Sequence, residues 1–362
     1  MAAFCLSRRL LTLLAVCFSA SAFSQAITFP REPSPAAAVS QTIGISTISV
    51  AYSRPSVKGR EIWGALVPYG WNVQPFGAGN PAPWRSGANE NTVIRFTHDV
   101  VLQGHHVPAG AYGLFFVINK DNTGEVILSK DYRSWGSFWY DPAHDEMRAP
   151  INLRASPFTE QLTYDFINIS KNSAEMVLNW EKMQFPVTVQ FAVDSIVMAN
   201  AAEELKGPAG FSWEGYADAA GYALQHQTGY DQALTWINQA VSINRNFRTL
   251  SIKAALLKIQ GQTQESDKLM QDATAMANET ELNAYGYQLL QAGDADKAVA
   301  ILTLNTQRHP TSANVWDSLG EAYVAKGDKK SAIQNFKKSL SLNPPPNVKA
   351  NSEKYLTQLG AN

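Results

Sequence analysis

The chain has 362 residues, 45% of them hydrophobic, which is enough to bury two cores. Its 30 Lys and Arg against 31 Asp and Glu leave a formal charge of −1, so it lacks the basic field that nucleic-acid binding requires. Both cysteines, Cys5 and Cys17, fall within residues 1–24, which excludes disulfides, cysteine-ligated zinc and a cysteine nucleophile from the rest of the chain.

Residues 1–24 read as a secretory signal peptide. Arg8-Arg9 precede an apolar run from Leu10 to Phe18, and the small residues Ala20, Ala22 and Ser24 follow. Cleavage is expected after Ala22 or after Ser24. Leu14-Ala15-Val16-Cys17 offers a lipoprotein alternative, for which Val16 is bulky. The run is short for a membrane span, and no later segment is apolar enough to be one. The expected product is therefore exported, periplasmic or secreted, with no transmembrane span.

From Ser34 to about Phe191 the pattern is that of strands. Ile43, Ile45, Ile48, Val50 and Tyr52 partly alternate with small polar residues. Further strands are predicted over Val93–Phe96, Val100–Gln103, Tyr112–Asn119, Val126–Lys130, Leu162–Ile169, Met176–Trp180 and Val187–Phe191. Pro108-Ala109-Gly110 and Asp121-Asn122-Thr123-Gly124 are hairpin turns. Short strands without intervening helices predict an antiparallel β-sandwich, jelly-roll-like, or a barrel, over residues 25–192.

Around Asp194 the period becomes helical. Ile196, Val197, Ala201 and Leu205 suit a helix, and residues 193–362 are predicted all-α. This half also repeats. Trp316, Leu319, Gly320, Tyr323, Ala332, Phe336 and Pro344 have the spacing of a tetratricopeptide unit. One period earlier stand Leu282, Tyr285, Gly286, Leu289, Ala298, Leu302 and Pro310, and a first unit shows in Ala220, Gly221, Leu224, Ala233, Ile237 and Ala240. Thr249 to Ala273 reads as a degraded unit with one extra residue, and Val348 to Leu359 as a capping helix. Small residues let paired helices approach, and each pair leaves an apolar face for the next to cover. This half resembles the tetratricopeptide family, which implies a solenoid with a protein partner.

The densest segment is the loop from Tyr52 to Thr92. It carries Tyr52-Ser53-Arg54-Pro55-Ser56-Val57-Lys58-Gly59-Arg60, Leu66-Val67-Pro68-Tyr69-Gly70 and Trp84-Arg85-Ser86-Gly87-Ala88-Asn89-Glu90. With Pro108 to Phe115, Trp135-Gly136, Tyr140-Asp141, Asp145 and Arg148, it resembles the exported bacterial family catalogued as domain of unknown function 2911, over about Ser34 to Phe191. Many relatives run from the Pro-Tyr-Gly block almost straight into the Trp-Arg block, whereas here Trp71 to Pro83 intervenes. The resemblance implies no reaction.

A loop so rich in large polar and aromatic groups is either a ligand surface or a packed plug. Arg54, Arg60, Trp84, Arg85, Asn89, Glu90, Asp145 and Arg148 are the ligand-binding candidates, suited to a small anionic or hydroxyl-rich ligand because Arg offers a planar fork. In the alternative, Arg54 or Arg85 pairs with Glu90, Asp141 or Asp145 and pins the loop. Trp63, Trp71, Trp84, Trp135 and Trp139, with Tyr69 and Tyr140, either present flat faces to sugar rings or pack inside. His98, His105 and His106 are weak metal candidates without a tight ligand pattern, and Asp141 to Asp145 reads as a solvated turn. No catalytic motif and no cofactor signature appears. The leading expectation is a non-catalytic binding or scaffold protein. The alternative is an envelope hydrolase or isomerase acting on carbohydrate or peptide, using Glu90 or Asp145 with Arg85.

Overall fold

The computed structural model describes residues 32–361; the expected signal peptide lies outside them. Contacts divide the chain into two units. One holds the residues up to Gln41, Thr47–Ile169 and Ala174–Val189, and the other holds Thr42–Ser46, Ser170–Ser173 and the chain from Gln190 on.

Among the described residues the first unit holds all or most of each of twelve strands: β1 (Ala36–Ile43), β2 (Ser46–Ser53), β3 (Asn72–Val73), β4 (Pro81–Ala82), β5 (Val93–Phe96), β6 (Val100–Leu102), β7 (His105–Val107), β8 (Gly110–Ile118), β9 (Thr123–Ser129), β10 (Asp145–Asn152), β11 (Arg154–Ile167) and β12 (Ser173–Gln190). One sheet has the order β1-β2-β5-β8-β9-β10 and a second β11-β12-β6-β7, while β3 and β4 form a small ribbon. The chain changes sheet between β5 and β6, between β7 and β8, and between β10 and β11, a jelly-roll-like winding. Neither sheet closes into a barrel. The inner faces meet through Phe116 of β8 and Phe185 of β12, whose rings lie 5.2 Å apart, and through Tyr52 of β2 and Tyr164 of β11, at 4.8 Å. Alternation drives this layering: Ile48 and Val50 of β2, Ile94 and Phe96 of β5, and Leu162 and Tyr164 of β11 all point inward and are buried.

Three expectations need correction. The run from Ile43 to Tyr52 is the end of one strand and the start of another, turned at Gly44 with φ of 60°. Met176–Trp180 and Val187–Phe191 fall largely within the single strand β12. Asp141 to Asp145 is a 3-10 turn, Pro142–His144, that runs straight into β10, and the Asp145 side chain is only 7% exposed rather than solvated.

The second unit contains α1 (Val193–Glu204), α2 (Trp213–Gln225), α3 (Tyr230–Ile243), α4 (Phe247–Ile259), α5 (Thr263–Met276), α6 (Glu279–Gln291), α7 (Ala295–Arg308), α8 (Ala313–Lys326), α9 (Lys329–Ser341) and α10 (Pro346–Gln358). Side chains set several helix starts. Asn246 and Asn278 form capping boxes with Thr249 and Glu281, and Asp294 and Asp328 accept from the backbone N–H of Lys297 and Ser331. The pairs α2–α3, α4–α5, α6–α7 and α8–α9 are tightly packed hairpins. Small residues make this possible: a Cβ on Gly320 would lie 2.7 Å from the Phe336 ring, and one on Gly286 would lie 2.6 Å from Leu302. Ala332 and Phe336 are fully buried beneath Leu356 of the capping helix. The half-buried Trp316 donates its Nε1–H to Pro310 O at 3.0 Å, and Tyr323 packs against the Phe336 cluster. Asn343, with φ of 53°, ends α9 ahead of Pro344.

Stacking is uneven along the solenoid. α3 packs on α4, α7 on α8 and α9 on α10, whereas α5 and α6 part company. Thr249 to Ala273, the irregular stretch of the sequence, supplies one wall of that joint. No helix among the described residues is long and apolar enough to cross a membrane.

Candidate functional site

The Tyr52–Thr92 loop is fastened chiefly by backbone carbonyls. Arg54 donates from Nε to Leu162 O at 3.0 Å and from Nη2 to Thr163 Oγ1 at 2.6 Å, locking the loop to β11. Arg60 turns back on its own loop, donating to Val57 O and Ser56 O. Arg85 donates to Asn89 O at 2.7 Å and lies 5.2 Å over the Phe138 ring. Burial holds its pKa below the usual guanidinium value. Gly136, at φ of 64°, lies against the guanidinium so closely that a Cβ there would sit 2.3 Å from Cζ. Asn89 adopts φ of 61° and donates to Ser34 O at 3.3 Å. Ser86 is fully buried; it donates to Leu114 O at 2.7 Å and its carbonyl accepts from the Tyr164 hydroxyl at 3.0 Å. Glu90 is half-buried and engaged.

Trp84 faces inward. Its backbone bridges Phe116 in both directions, at 2.8 and 2.9 Å. Its ring stacks on Trp180 at 5.9 Å, and Trp63 meets both edge-on. Among the described residues neither Arg54 nor Arg85 pairs with Asp141 or Asp145; the two arginines donate instead to main-chain carbonyls and, for Arg54, to the Thr163 hydroxyl.

Asp145 and Arg148 form a separate cluster at the start of β10. Arg148 Nε donates to Asp145 Oδ2 at 2.5 Å, the Tyr140 hydroxyl donates to the same oxygen at 2.6 Å, and Arg148 Nη2 reaches the Tyr140 hydroxyl at 3.1 Å. The guanidinium lies 4.9 Å over Trp71, whose ring is 5.8 Å from Tyr140. Burial raises the Asp145 pKa despite the two donors that favour the carboxylate, and burial together with Asp145 pushes the Tyr140 hydroxyl upward. Asp145 Oδ1 is buried without a hydrogen-bond partner. Tyr140 and Trp71 complete this cluster. Their signal in the sequence was proximity to Asp141 and to the inserted segment.

His105 pairs with Leu102 and His106 with Val101 across the β6–β7 hairpin, while His98 lies before β6 and bonds Thr97 Oγ1 at 3.2 Å. His106 approaches Asp99 at 3.4 Å. Among the described residues no group of three His, Cys, Asp or Glu side chains assembles around a common point.

In the helical unit the open α5–α6 joint forms a groove of about 1250 Å³. Phe247 and Ile252 of α4, Met270 of α5, and Tyr285 and Leu289 of α6 supply apolar surface, and Arg248, Lys258, Asp267 and Glu281 supply charge. Phe247 and Tyr285 meet across it at 6.2 Å, and Arg308 of α7 donates to Thr274 O of α5 at 2.8 Å, holding one end closed. The other inter-repeat faces carry polar ties. Asp218 bonds Arg248, Tyr287 donates to Glu321 at 3.1 Å, and Asn351 of α10 donates to both Asp317 and Glu321 of α8 at 2.8 and 2.7 Å.

These features define a two-part protein, an antiparallel sandwich and a stack of helix hairpins. Residues 34–189 match the family described as protein of unknown function (DUF2911), and residues 313–346 match a tetratricopeptide repeat. The first match spans the sandwich and the second lies in α8, α9 and the turn after them. Among curated proteins, the chain is 41% identical over 59 residues to superkiller complex protein 3 of Homo sapiens, covering 16% of this chain and 4% of that protein. It is 30% identical over 103 residues to cellulose synthase operon protein C of Escherichia coli (strain K12), covering 28% of this chain and 8% of that protein. Among solved structures, MamA aligns at 18% identity with a TM-score of 0.29 over 42% of this chain and 89% of its own. YrrB, described as a TPR protein with an unusual peptide-binding site, aligns at 16% identity with a TM-score of 0.28 over 44% of this chain and 84% of its own.

Proposed function

We propose that this is an exported scaffold protein whose helical repeats hold a protein partner in the groove between α4–α5 and α6–α7. The observation that carries this reading is the open joint itself. Every other hairpin buries its apolar side against the next, whereas here Phe247, Met270, Tyr285 and Leu289 line a groove large enough for a peptide segment. Charges of both signs at its rim suit a partner that presents apolar side chains between ionic ones. The test is a bulky cation placed in the groove: Ala284→Arg is expected to abolish partner capture by the full chain while leaving its melting temperature unchanged.

A non-catalytic role is supported by the way the expected acid–base groups are spent. Asp145 is committed to Tyr140 and Arg148, and Arg85 to Asn89 and Phe138, so the two do not join in one carboxylate–guanidinium grouping. Export is part of the same proposal. The native chain is expected to begin at Phe23 or Gln25, as read by N-terminal sequencing, and a chain beginning at Met1 would contradict it.

A further inference from the structure

We infer that Trp71, Phe76 and Trp139, with Arg148 at their edge, form a binding platform for a β-1,4-linked glycan on the sandwich. This inference is independent of the helical groove.

The fold separates the tryptophans. Trp63 and Trp84 join Trp180 in the interior cluster, whereas Trp71, Phe76 and Trp139 remain 36%, 64% and 47% exposed. Single exposed apolar side chains are ordinary, but three exposed rings gathered beside one short segment are not. Phe76 meets Trp139 at 5.5 Å and Phe138 at 5.8 Å, and Trp71 lies 5.8 Å from the buried Tyr140, so the exposed rings flank the consecutive residues Phe138 to Tyr140. They are also held in place. The inserted segment is paired as β3–β4, and Ala78 N–H donates to Phe138 O at 2.7 Å.

The polar edge decides the chemistry. Arg148 spends Nε and Nη2 on Asp145 and Tyr140, which leaves Nη1 to donate from a side chain that is 38% exposed. A lipid or an aliphatic protein surface would cover the rings and leave this donor unused. A pyranose ring lays its C–H face on an aromatic ring and projects equatorial hydroxyls in its own plane, towards the exposed guanidinium. A β-1,4 linkage sets successive rings in a flat ribbon, which suits several exposed aromatic rings better than a single pocket does.

The test titrates the full chain with cellohexaose and chitohexaose, followed by calorimetry and tryptophan fluorescence. At least one hexasaccharide is expected to bind. Trp71→Ala and Trp139→Ala should each weaken binding by about tenfold, equivalent to ~1.4 kcal/mol. Arg148→Lys should also weaken it through loss of the planar fork, and Trp316→Ala in the helical unit should change nothing. If Trp71→Ala melts early, the more exposed Trp139 decides. The inference is overturned if neither hexasaccharide binds, or if binding ignores these substitutions. It is equally overturned if the substitutions alter only self-association or adsorption to phosphatidylglycerol vesicles.

Discussion

Trp180→Ala is expected to destabilise the sandwich by about 3–5 kcal/mol, the cost of emptying a large buried aromatic site. Trp180 is 1% exposed and touches Trp84 and Trp63 from the loop at 5.9 and 5.8 Å. The cavity would thus lie where the long loop meets β12, and the loop should loosen with it. At roughly 2–4 °C per kcal/mol for a unit of this size, the transition of the sandwich should fall by about 10 °C. Trp180→Phe should recover much of the loss. The Trp180 Nε1–H has no hydrogen-bond partner, so Phe gives up ring area but no bond. Thermal unfolding followed by near-UV circular dichroism reads both variants; equal losses for Ala and Phe would contradict the packing explanation.

Phe336→Ala should act on the helical unit with similar force, about 3–5 kcal/mol. Phe336 is fully buried, fills the space that Gly320 leaves between α8 and α9, and stacks on Tyr355 of α10 at 5.0 Å with the planes within 7°. Its loss removes the surface on which the capping helix rests. Hydrogen exchange should therefore rise first in α10 and then in α9, with β8 and β9 unaffected. Protection unchanged in α10 would show that the cap is held by its polar ties to Asp317 and Glu321 alone.

The fold was legible wherever one period dominated. β5 was read to the residue because Val93–Phe96 alternates cleanly between turns. β10 was missed although Met147, Ala149 and Ile151 alternate inward, because Pro150 reads as a breaker; β10 lies at a sheet edge, where proline costs no ladder bond. β12 was read as two pieces because Glu181, with φ of 56°, and the polar residues after it interrupt the apolar run. The repeats were plain because Gly286 and Gly320 leave no room for a Cβ, and Ala298 and Ala332 are fully buried at matching positions one period apart.

The site was less legible, for a physical reason. Whether an arginine serves a ligand or a carbonyl depends on partners far along the chain, and Arg54 finds its acceptors 108 and 109 residues away. Which tryptophans face outward depends on where each loop meets the two sheets, so Trp71 and Trp84 look alike in sequence yet part ways in space. The groove left one trace, the irregular unit from Thr249 to Ala273. Its opening is a property of how α5 meets α6, which no local spacing encodes.

The most direct measurement compares partner capture by three full-length chains: wild type, Ala284→Arg, and Ala300→Arg, whose exposed position on α7 lies outside the groove. Capture of the same partner by wild type and Ala300→Arg, with loss in a normally melting Ala284→Arg, is the expected result. Equal capture by all three chains would contradict recognition through the groove.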